Sequence, residues 1–176
     1  MCPRAAYEQT LIEHGLRQAG ASSGHITKRK ELHVTDNITA ANKALLRRFY
    51  REVYVDWNMA LADEVLSPRF TSHDWPNDGQ TGPQAFRDYY AAIRSAVPDA
   101  RYEVDDLIAE GDRVVVRWKL LGTHMGDFGG IAPTGRPIVL KGIAIYRVDE
   151  GKLMERWVVS DLHGLLEEIG ATARTS

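Results

Sequence analysis

The stretch RYEVDDLIAEGDRVVVRWKLLGTH, residues 101–124, decides the fold. Polar and apolar residues alternate along much of it, and a period of two is typical of a half-buried β-strand. Glu110 and Gly111 interrupt this alternation. The stretch therefore predicts two long strands, 101–108 and 113–124, joined by a tight turn.

A second pair of strands follows the first. Residues 138–148 and 153–161 alternate in the same way, and the sequence between them is Asp-Glu-Gly-Lys. Gly151 can adopt the positive φ that a tight hairpin turn requires. These features predict a β-hairpin whose turn is formed by residues 149–152.

The hairpin also has a predicted register. If Val148 pairs with Leu153, then Ala144 faces Trp157 and Gly142 shares their face of the sheet. Small residues beside a tryptophan leave space, either for the indole itself or for a ligand. A single bulge would move all of these side chains to the other face.

Helical periodicity precedes the strands. The predicted elements are a helix carrying Leu45, Leu46, Phe49 and Val53, a short helix 60–66, a strand 69–75, a helix opened by Gly82-Pro83, and a closing helix 162–169. Helices followed by long strands are typical of an α+β fold. We therefore expect a curved antiparallel sheet with helices packed over it, enclosing a pocket of the kind that ligands occupy.

Length and composition indicate one globular domain with a short appendage. The chain has 176 residues, of which 44% are hydrophobic and 26% charged, close to the globular average. We predict a single domain over residues 39–176. Residues 1–38 form an N-terminal extension in which 7–18 suit a short helix and 20–24 suit a flexible linker.

Charge and cysteine content exclude several classes of function. Lys and Arg number 22 against 24 Asp and Glu, a net charge of −2, which does not suit a nucleic-acid-binding surface. The one cysteine, Cys2, excludes an internal disulfide and a cysteine-rich zinc site. Because no apolar run is long enough for a membrane helix, we expect a cytoplasmic protein with no membrane partner.

Polar residues at strand ends are the candidates for chemistry. Asp161 ends an apolar strand, where burial would suit a carboxylate to acid–base catalysis at neutral pH. A histidine such as His73 or His124 could hold a substrate oxygen, and Tyr50 could donate to a developing oxyanion. A metal site is a second possibility, with ligands drawn from His73, Asp74, His124, Asp161 and His163.

One segment resembles a known family. GTHMGDFGGIAPTGR, residues 122–136, is similar to the segment typical of SnoaL-like polyketide cyclases, which share the cone-shaped fold of nuclear transport factor 2. Other matching segments follow in the family's order at 70–74, 82–86, 98–99, 110–114 and 155–157. The resemblance spans about residues 40–170 and implies the same fold, usually as a homodimer.

The resemblance also implies a chemistry. These cyclases close a polyketide ring by intramolecular aldol condensation, without cofactor or metal. Their acid/base is an aspartate directly after the tryptophan of the last strand, and this chain has Val158 there. Asp161 is the nearest carboxylate, and His73 and His124 match histidines of the family.

We therefore predict a cofactor-independent cyclase or isomerase of secondary metabolism that acts on a hydrophobic polyketide- or terpenoid-like molecule. The predicted catalytic residues are Asp161, His73 and His124, and the predicted substrate-binding residues are Tyr50, Trp75, Trp118, Phe128 and Trp157. Two alternatives stay open. One is a small-molecule-binding protein of the same fold without catalysis, and the other is a metal-dependent variant that uses the His/Asp residues.

Overall fold

The computed structural model describes residues 36–73 and 79–170. Asp74 and Trp75, both candidates from the sequence, lie outside this part of the chain, as does nearly all of the predicted extension. The chain divides into two compact units, Met1–Ile38 and Thr39–Ser176. The second unit contains all the strands and is the one considered below.

The second unit has the expected α+β composition. Its elements are α1 (36–49, of which 39–49 belong to this unit, continuing as a π-helix over Tyr50–Val55), α2 (Met59–Val65), β1 (Leu66–Ser72), α3 (Gly82–Ala96), β2 (Arg101–Glu110), β3 (Arg113–Thr123), β4 (Pro137–Asp149), β5 (Lys152–Ser160) and α4 (Leu162–Ile169). Pro83 lies in the first turn of α3, where its missing N–H costs nothing. Gly170 ends α4 with a φ of 78°.

The five strands form one sheet in the order β1-β5-β4-β3-β2. Both predicted strand pairs, β2–β3 and β4–β5, are antiparallel neighbours. The β4–β5 turn has a φ of 47° at Glu150 and 73° at Gly151, the pair of positive values that tight hairpins favour. β1 pairs with β5 in parallel, so the sheet is mixed rather than wholly antiparallel.

The predicted register of the β4–β5 hairpin is wrong by one residue. Val148 pairs with Leu153 as expected, but a β-bulge follows, and Ala144 then lies opposite Val158 instead of Trp157. The extra residue on β5 transfers every later side chain to the opposite face. Trp157 pairs with Ile145 on the other side of the sheet.

The two faces of the sheet differ in burial. The inner face packs against the helices and carries Val116, Trp118, Ala144, Tyr146 and Arg156, all buried. The outer face carries the exposed apolar residues Ile108, Ile143, Ile145 and Val159. Among the described residues, no helix has the length and apolar character needed to span a membrane.

Gly142 accommodates a different tryptophan from the one predicted. It pairs with Trp118 across β3 and β4, and a Cβ added to it would lie 2.4 Å from Cζ2 of that indole. The small residue thus leaves space for the Trp118 ring. This placement fixes Trp118 in the interior, where it contacts the aromatic residues described next.

Candidate functional site

A connected set of polar side chains lies between the helices and the inner face of the sheet. We call it the tyrosine–arginine cluster; its members are Tyr50, Tyr54, Tyr90, Tyr146, Arg156 and Ser72. All six are buried. The cluster draws its residues from the π-helical continuation of α1, from α3, and from β1, β4 and β5, so the packing of helices on the sheet assembles it.

Arg156 is the centre of the cluster. Its Nε donates to Ser72 Oγ at 2.9 Å, and its Nη1 donates to the hydroxyl of Tyr54 at 3.2 Å and of Tyr90 at 2.5 Å. Hydrogen bonds from a charged donor are stronger than neutral ones. The guanidinium therefore fixes two tyrosine rings, one from the π-helix and one from α3.

Tyr146 extends the network away from the guanidinium. Its hydroxyl lies 3.1 Å from that of Tyr54 and 3.2 Å from that of Tyr50. The Tyr50 ring in turn packs against Tyr102, with ring centroids 6.4 Å apart, and Tyr102 packs against Trp118 at 5.8 Å. The interior is thus aromatic, with hydroxyl groups at its centre.

Burial keeps the hydroxyl groups of Tyr50, Tyr54 and Tyr90 protonated by raising their pKa. Desolvation raises the pKa of Tyr50 and Tyr54 well above its ordinary value. It raises the pKa of Tyr90 to about 12, although the positive charge of Arg156 opposes the rise. At neutral pH the cluster therefore offers hydrogen-bond donors, not bases.

A small pocket borders the cluster between the end of the π-helix, the second half of α3 and the start of β2. Its lining comprises Tyr54, Trp57, Tyr90, Ile93, Arg94, Ala100 and Tyr102, around a cavity of about 10 Å³. The Arg94 guanidinium lies 5.1 Å from the centroid of the Trp57 ring, a cation–π contact between two residues that line this pocket. Trp57 has a φ of 56°, an uncommon conformation for a bulky residue.

His124 is buried in the loop that follows β3. Its Nδ1 lies 3.1 Å from the Thr134 hydroxyl, and its ring is edge-on to Phe128 at 6.4 Å. Its Nε2 is buried and has no hydrogen-bond partner among the described residues. Such atoms are rare, since leaving a polar group unpaired costs about 1–3 kcal/mol. The loop itself is anchored to α3 by bonds from Met125 and Gly126 N–H groups to the Ala96 carbonyl.

His73 and Trp157 lie on the outer face of the sheet. The two rings stack at 4.6 Å with an interplanar angle of 9°. His73 Nε2 lies 3.0 Å from a Glu155 oxygen, and Arg147 donates to the other oxygen of the same carboxylate at 2.6 Å. These two bonds hold the pKa of Glu155 below its ordinary value. The bulge in β5 explains why Trp157 faces away from the interior.

Asp161 caps the closing helix. Its side chain is exposed, and one carboxylate oxygen accepts a hydrogen bond from the Gly164 N–H at 2.9 Å, the geometry of an N-cap. A Cβ on Gly164 would lie 2.6 Å from the other oxygen, so the glycine permits this close approach. The burial expected for Asp161 is therefore absent in the structure.

Asp161 also borders an open cleft of about 410 Å³ on the outer face. The cleft is lined by Asp105, Arg117, Trp118, Lys119, Lys141, Gly142, Ile143, Val159, Ser160 and Asp161. Asp105 is engaged by Arg117 at 2.6 Å and by Lys119 at 3.0 Å. The cleft thus combines charged side chains, three of them in ion pairs with one another, with exposed apolar side chains.

The structure separates the predicted catalytic residues. The backbone N–H of Asp161 bonds to the Lys141 carbonyl and that of His124 to the Arg136 carbonyl, each at 2.9 Å. Lys141 and Arg136 are five residues apart, roughly 16 Å along an extended strand. The backbone N–H of His73 bonds to the Arg156 carbonyl, five residues before Asp161 in the chain, and its ring lies on the outer face, whereas His124 is buried in the loop after β3.

Metal ligation was the other possible use of these residues. In residues 36–73 and 79–170, no three His, Cys, Asp or Glu side chains gather in a way that could hold a metal ion. The His163 side chain is exposed and its Nε2 lies 3.5 Å from Glu167 on the same helix. His73, His124, Asp161 and His163 therefore do not form a common site in the described part of the chain.

Sequence reasoning placed Tyr50 and Trp118 in the interior but missed most of the cluster. Tyr54 was detectable, because it follows Tyr50 by four residues on a helix and so shares its face. Arg156 directly precedes Trp157, which the sequence predicts on the inner face. The bulge in β5 places Arg156 on the inner face and Trp157 on the outer face instead. Val158, the position at which the resemblance implies an aspartate in the family, lies on the inner face and is partly buried.

Comparison with known proteins agrees with this fold. Nogalonic acid methyl ester cyclase from Streptomyces nogalater is 27% identical over 110 residues, which make up 61% of this chain and 82% of that protein. The structure of TsrD from Streptomyces laurentii matches with a TM-score of 0.69 and 27% identity, covering 76% of this chain and 97% of that one. A SnoaL-like polyketide cyclase from Agrobacterium tumefaciens, at 18% identity and a TM-score of 0.59, shares the fold over 69% of this chain and 92% of its own.

A sequence match along most of the domain identifies the family to which the chain belongs. The sequence model of the SnoaL-like polyketide cyclases covers residues 44–169, from α1 through α4. An α+β fold with an open mixed sheet is consistent with the nuclear transport factor 2-like fold of the structural neighbours. The chain therefore belongs to the SnoaL-like polyketide cyclase family.

Proposed function

We propose that this protein is a cofactor-independent acid/base enzyme of cyclase or isomerase type. Its substrate is a hydrophobic, oxygenated molecule of polyketide or terpenoid class, bound between the helices and the inner face of the sheet. Membership of the family supports a cyclase or isomerase role in general. The observation that carries the proposal is the tyrosine–arginine cluster, which places protonated hydroxyls and a guanidinium in an aromatic interior. Donors in such a site stabilise a developing enolate oxygen more strongly than water does.

Among the three predicted catalytic residues, His124 best fits proton transfer. It is 1% exposed, and its Nε2 has no hydrogen-bond partner among the described residues, so a substrate oxygen bound there would satisfy it. Asp161 and His73 are exposed, and each is already engaged in a hydrogen bond. We expect His124→Gln to reduce turnover by at least about 100-fold, the usual contribution of a positioned acid or base.

Asp161 can be tested separately for capping and for catalysis. Asparagine is as good an N-cap as aspartate, whereas alanine is not. Asp161→Asn should therefore keep both the stability and the turnover, and Asp161→Ala should lose about 1 kcal/mol of stability. Loss of turnover in Asp161→Asn, with the fold intact, would instead make the Asp161 carboxylate the catalytic group.

The reaction class can be tested without knowing the substrate. The protein is incubated in D2O with two kinds of probe. One is nogalonic acid methyl ester, the compound in the name of the Streptomyces nogalater relative, and the other is a set of β-keto esters that carry apolar groups. An enolising enzyme will incorporate deuterium beside the carbonyl faster than buffer alone, as measured by mass spectrometry. His124→Gln and a heat-denatured sample serve as controls. If every probe is bound but recovered without deuterium or ring closure, the enzymatic proposal is refuted.

Val158 favours a second function, that of a non-catalytic small-molecule-binding protein. It occupies the inner-face position of the family's aspartate with an apolar side chain. Binding of a probe without exchange would support this function. In that case Val158→Asp should introduce deuterium exchange on the probe, because the tyrosine–arginine cluster already supplies the other polar groups of the interior.

We also propose that two copies pair through the outer face of the sheet. Val159 is 78% exposed, Ile108 66% and Ile143 50%, an apolar surface of the kind that marks protein interfaces. Sedimentation should give about twice the 19.7 kDa mass of one chain. Val159→Glu should reduce this to one chain. Met125→Glu, at a similarly exposed apolar residue in the loop after β3, should leave it unchanged.

A further inference from the structure

We propose that Tyr102 supplies the hydrogen bond that recognises a carbonyl oxygen of the substrate, in the small pocket beside the tyrosine–arginine cluster. This inference rests on the proposed function and deepens it, because it assigns a substrate-binding role to a residue outside the cluster. It also narrows the substrate to an apolar ring compound that presents a ketone or ester carbonyl at its edge.

Tyr102 differs from the tyrosines of the cluster in its hydrogen bonding. The cluster tyrosines are already joined to other groups, as Tyr54 is to Arg156 and to Tyr146. The Tyr102 hydroxyl, by contrast, has no hydrogen-bond partner within residues 36–73 and 79–170. Tyrosine hydroxyls in protein interiors usually have one. The hydroxyl of Tyr102 can therefore bind a ligand without breaking a bond inside the protein.

This unpaired hydroxyl can be reached from outside. Tyr102 is only partly buried, and its side chain lines the small pocket. Throughout the part of the chain that the structure describes, His124 Nε2 is the one side-chain nitrogen or oxygen that is both fully buried and unpaired. Because the Tyr102 hydroxyl is also unpaired, it follows that this hydroxyl is not fully buried.

Neighbouring aromatic rings hold the Tyr102 side chain in place. Its ring centroid lies 4.7 Å from that of Tyr54, 5.8 Å from that of Trp118 and 6.4 Å from that of Tyr50. Its backbone is fixed as well, since it pairs with Leu120 across β2 and β3. A donor that is already held in one position loses little conformational freedom when a ligand binds.

The pocket offers donors, which suits an acceptor on the ligand. Burial raises the pKa of the Tyr102 hydroxyl well above its ordinary value, although the charge of Arg156 opposes the rise. The hydroxyl therefore keeps its proton at neutral pH and can donate it in a hydrogen bond. Arg94, in the same lining, is a donor only. A carbonyl oxygen accepts and does not donate, so it matches both groups.

The size of the pocket determines which part of the ligand enters it. A cavity of about 10 Å³ holds roughly one water, and hence one oxygen atom but not a ring. The carbonyl oxygen therefore enters, and the ring that carries it stays outside. There it contacts Trp57 and Ile93, which line the pocket and are both partly exposed.

The test compares 1-tetralone with tetralin, the hydrocarbon that lacks only its carbonyl oxygen. Tryptophan fluorescence of the full-length protein gives both dissociation constants, since Trp57 lines the pocket. We expect Tyr102→Phe to weaken the binding of 1-tetralone about fivefold, the usual effect of one neutral hydrogen bond, and to leave tetralin unchanged. Tyr89→Phe is the matched control, because it removes a hydroxyl outside the lining and should alter neither constant. Circular dichroism confirms that each variant is folded.

Infrared difference spectra report the bond itself. The carbonyl stretching band of bound 1-tetralone should lie at lower frequency in the wild type and in Tyr89→Phe than in Tyr102→Phe. Three results would overturn the inference: no binding of 1-tetralone by the folded wild type, an equal change for both compounds in Tyr102→Phe, or a carbonyl band that does not move.

The deuterium-exchange assay separates this inference from the proposed function. Exchange in the wild type, with 1-tetralone binding unaltered in Tyr102→Phe, removes the carbonyl site and leaves the enzyme. Recognition of the carbonyl through Tyr102, without exchange on any probe, keeps the site and removes the enzyme.

Discussion

Replacing Tyr54 by phenylalanine is the sharpest test of the tyrosine–arginine cluster. The change removes one oxygen atom that accepts from Arg156 at 3.2 Å and bonds to Tyr146 at 3.1 Å. A bond to a charged group contributes about 1.5–3 kcal/mol and a neutral one about 1 kcal/mol. Arg156 Nη1 keeps its bond to Tyr90, so we expect a loss of about 3 kcal/mol in the free energy of unfolding.

A loss of that size is easily measured. For a chain of this length, 1 kcal/mol corresponds to about 2–4 °C, so Tm should fall by about 6–12 °C in calorimetry. Urea unfolding followed by circular dichroism gives the free energy directly. Tyr102→Phe is the matched control, since that hydroxyl has no hydrogen bond recorded in the described part of the chain, and its Tm should move by less than about 2 °C.

Tyr146→Phe supplies an intermediate case. It removes two bonds, to Tyr50 and Tyr54, but neither involves a charge, so the expected loss is about 2 kcal/mol. The order of destabilisation is therefore Tyr54, then Tyr146, then Tyr102. Equal effects in all three variants, or a Tyr54 variant as stable as the wild type, would refute the hydrogen-bond account of the cluster.

Two further predictions concern packing and pH. Gly142→Ala should cost about 1–3 kcal/mol through overpacking, because its Cβ would lie 2.4 Å from the Trp118 ring, and adding Trp118→Phe should recover part of that loss in a double-mutant cycle. If the losses of the two single variants simply add in the double variant, the contact between the new Cβ and the Trp118 ring is not the cause of the destabilisation. Because the pKa of Glu155 is lower in the folded protein than its ordinary value of 4.5, its contribution to stability is complete above that pH and is lost as the pH falls below it. In Glu155→Gln the free energy of unfolding should therefore fall less steeply as the pH is lowered below 4.5 than it does in the wild type. An equally steep fall in both proteins would contradict the bonds to His73 and Arg147.

The strands were predictable because their signal is local. Alternation over 113–123 and the turn at Gly151 are properties of adjacent residues, and both predicted strand pairs are present. The register of β5 was not predictable, because the bulge after Val148 leaves no mark in the alternation pattern. One inserted residue was enough to place Trp157 outside and Arg156 inside.

The candidate site was less predictable than the fold. Arg156 bonds to tyrosines that are 66 and 102 residues away in the chain, and no local pattern encodes such distances. For Asp161 the difficulty is that the local sequence fits two roles equally well. An aspartate between a strand and a helix suits both an N-cap and an active site, and only its exposure and its bond to Gly164 distinguish the two.

The π-helix at Tyr50–Val55 has a consequence for the history of this site. A π-helical turn contains one residue more than an α-helical turn would, as an insertion into an ordinary helix produces. Deleting one residue there would restore the α-helix without a large rotation of the residues that follow, because the π turn and the shorter α turn each complete about one revolution. A relative without this extra residue should therefore keep the helix on either side of the turn in place and differ in the turn that carries Tyr50 and Tyr54.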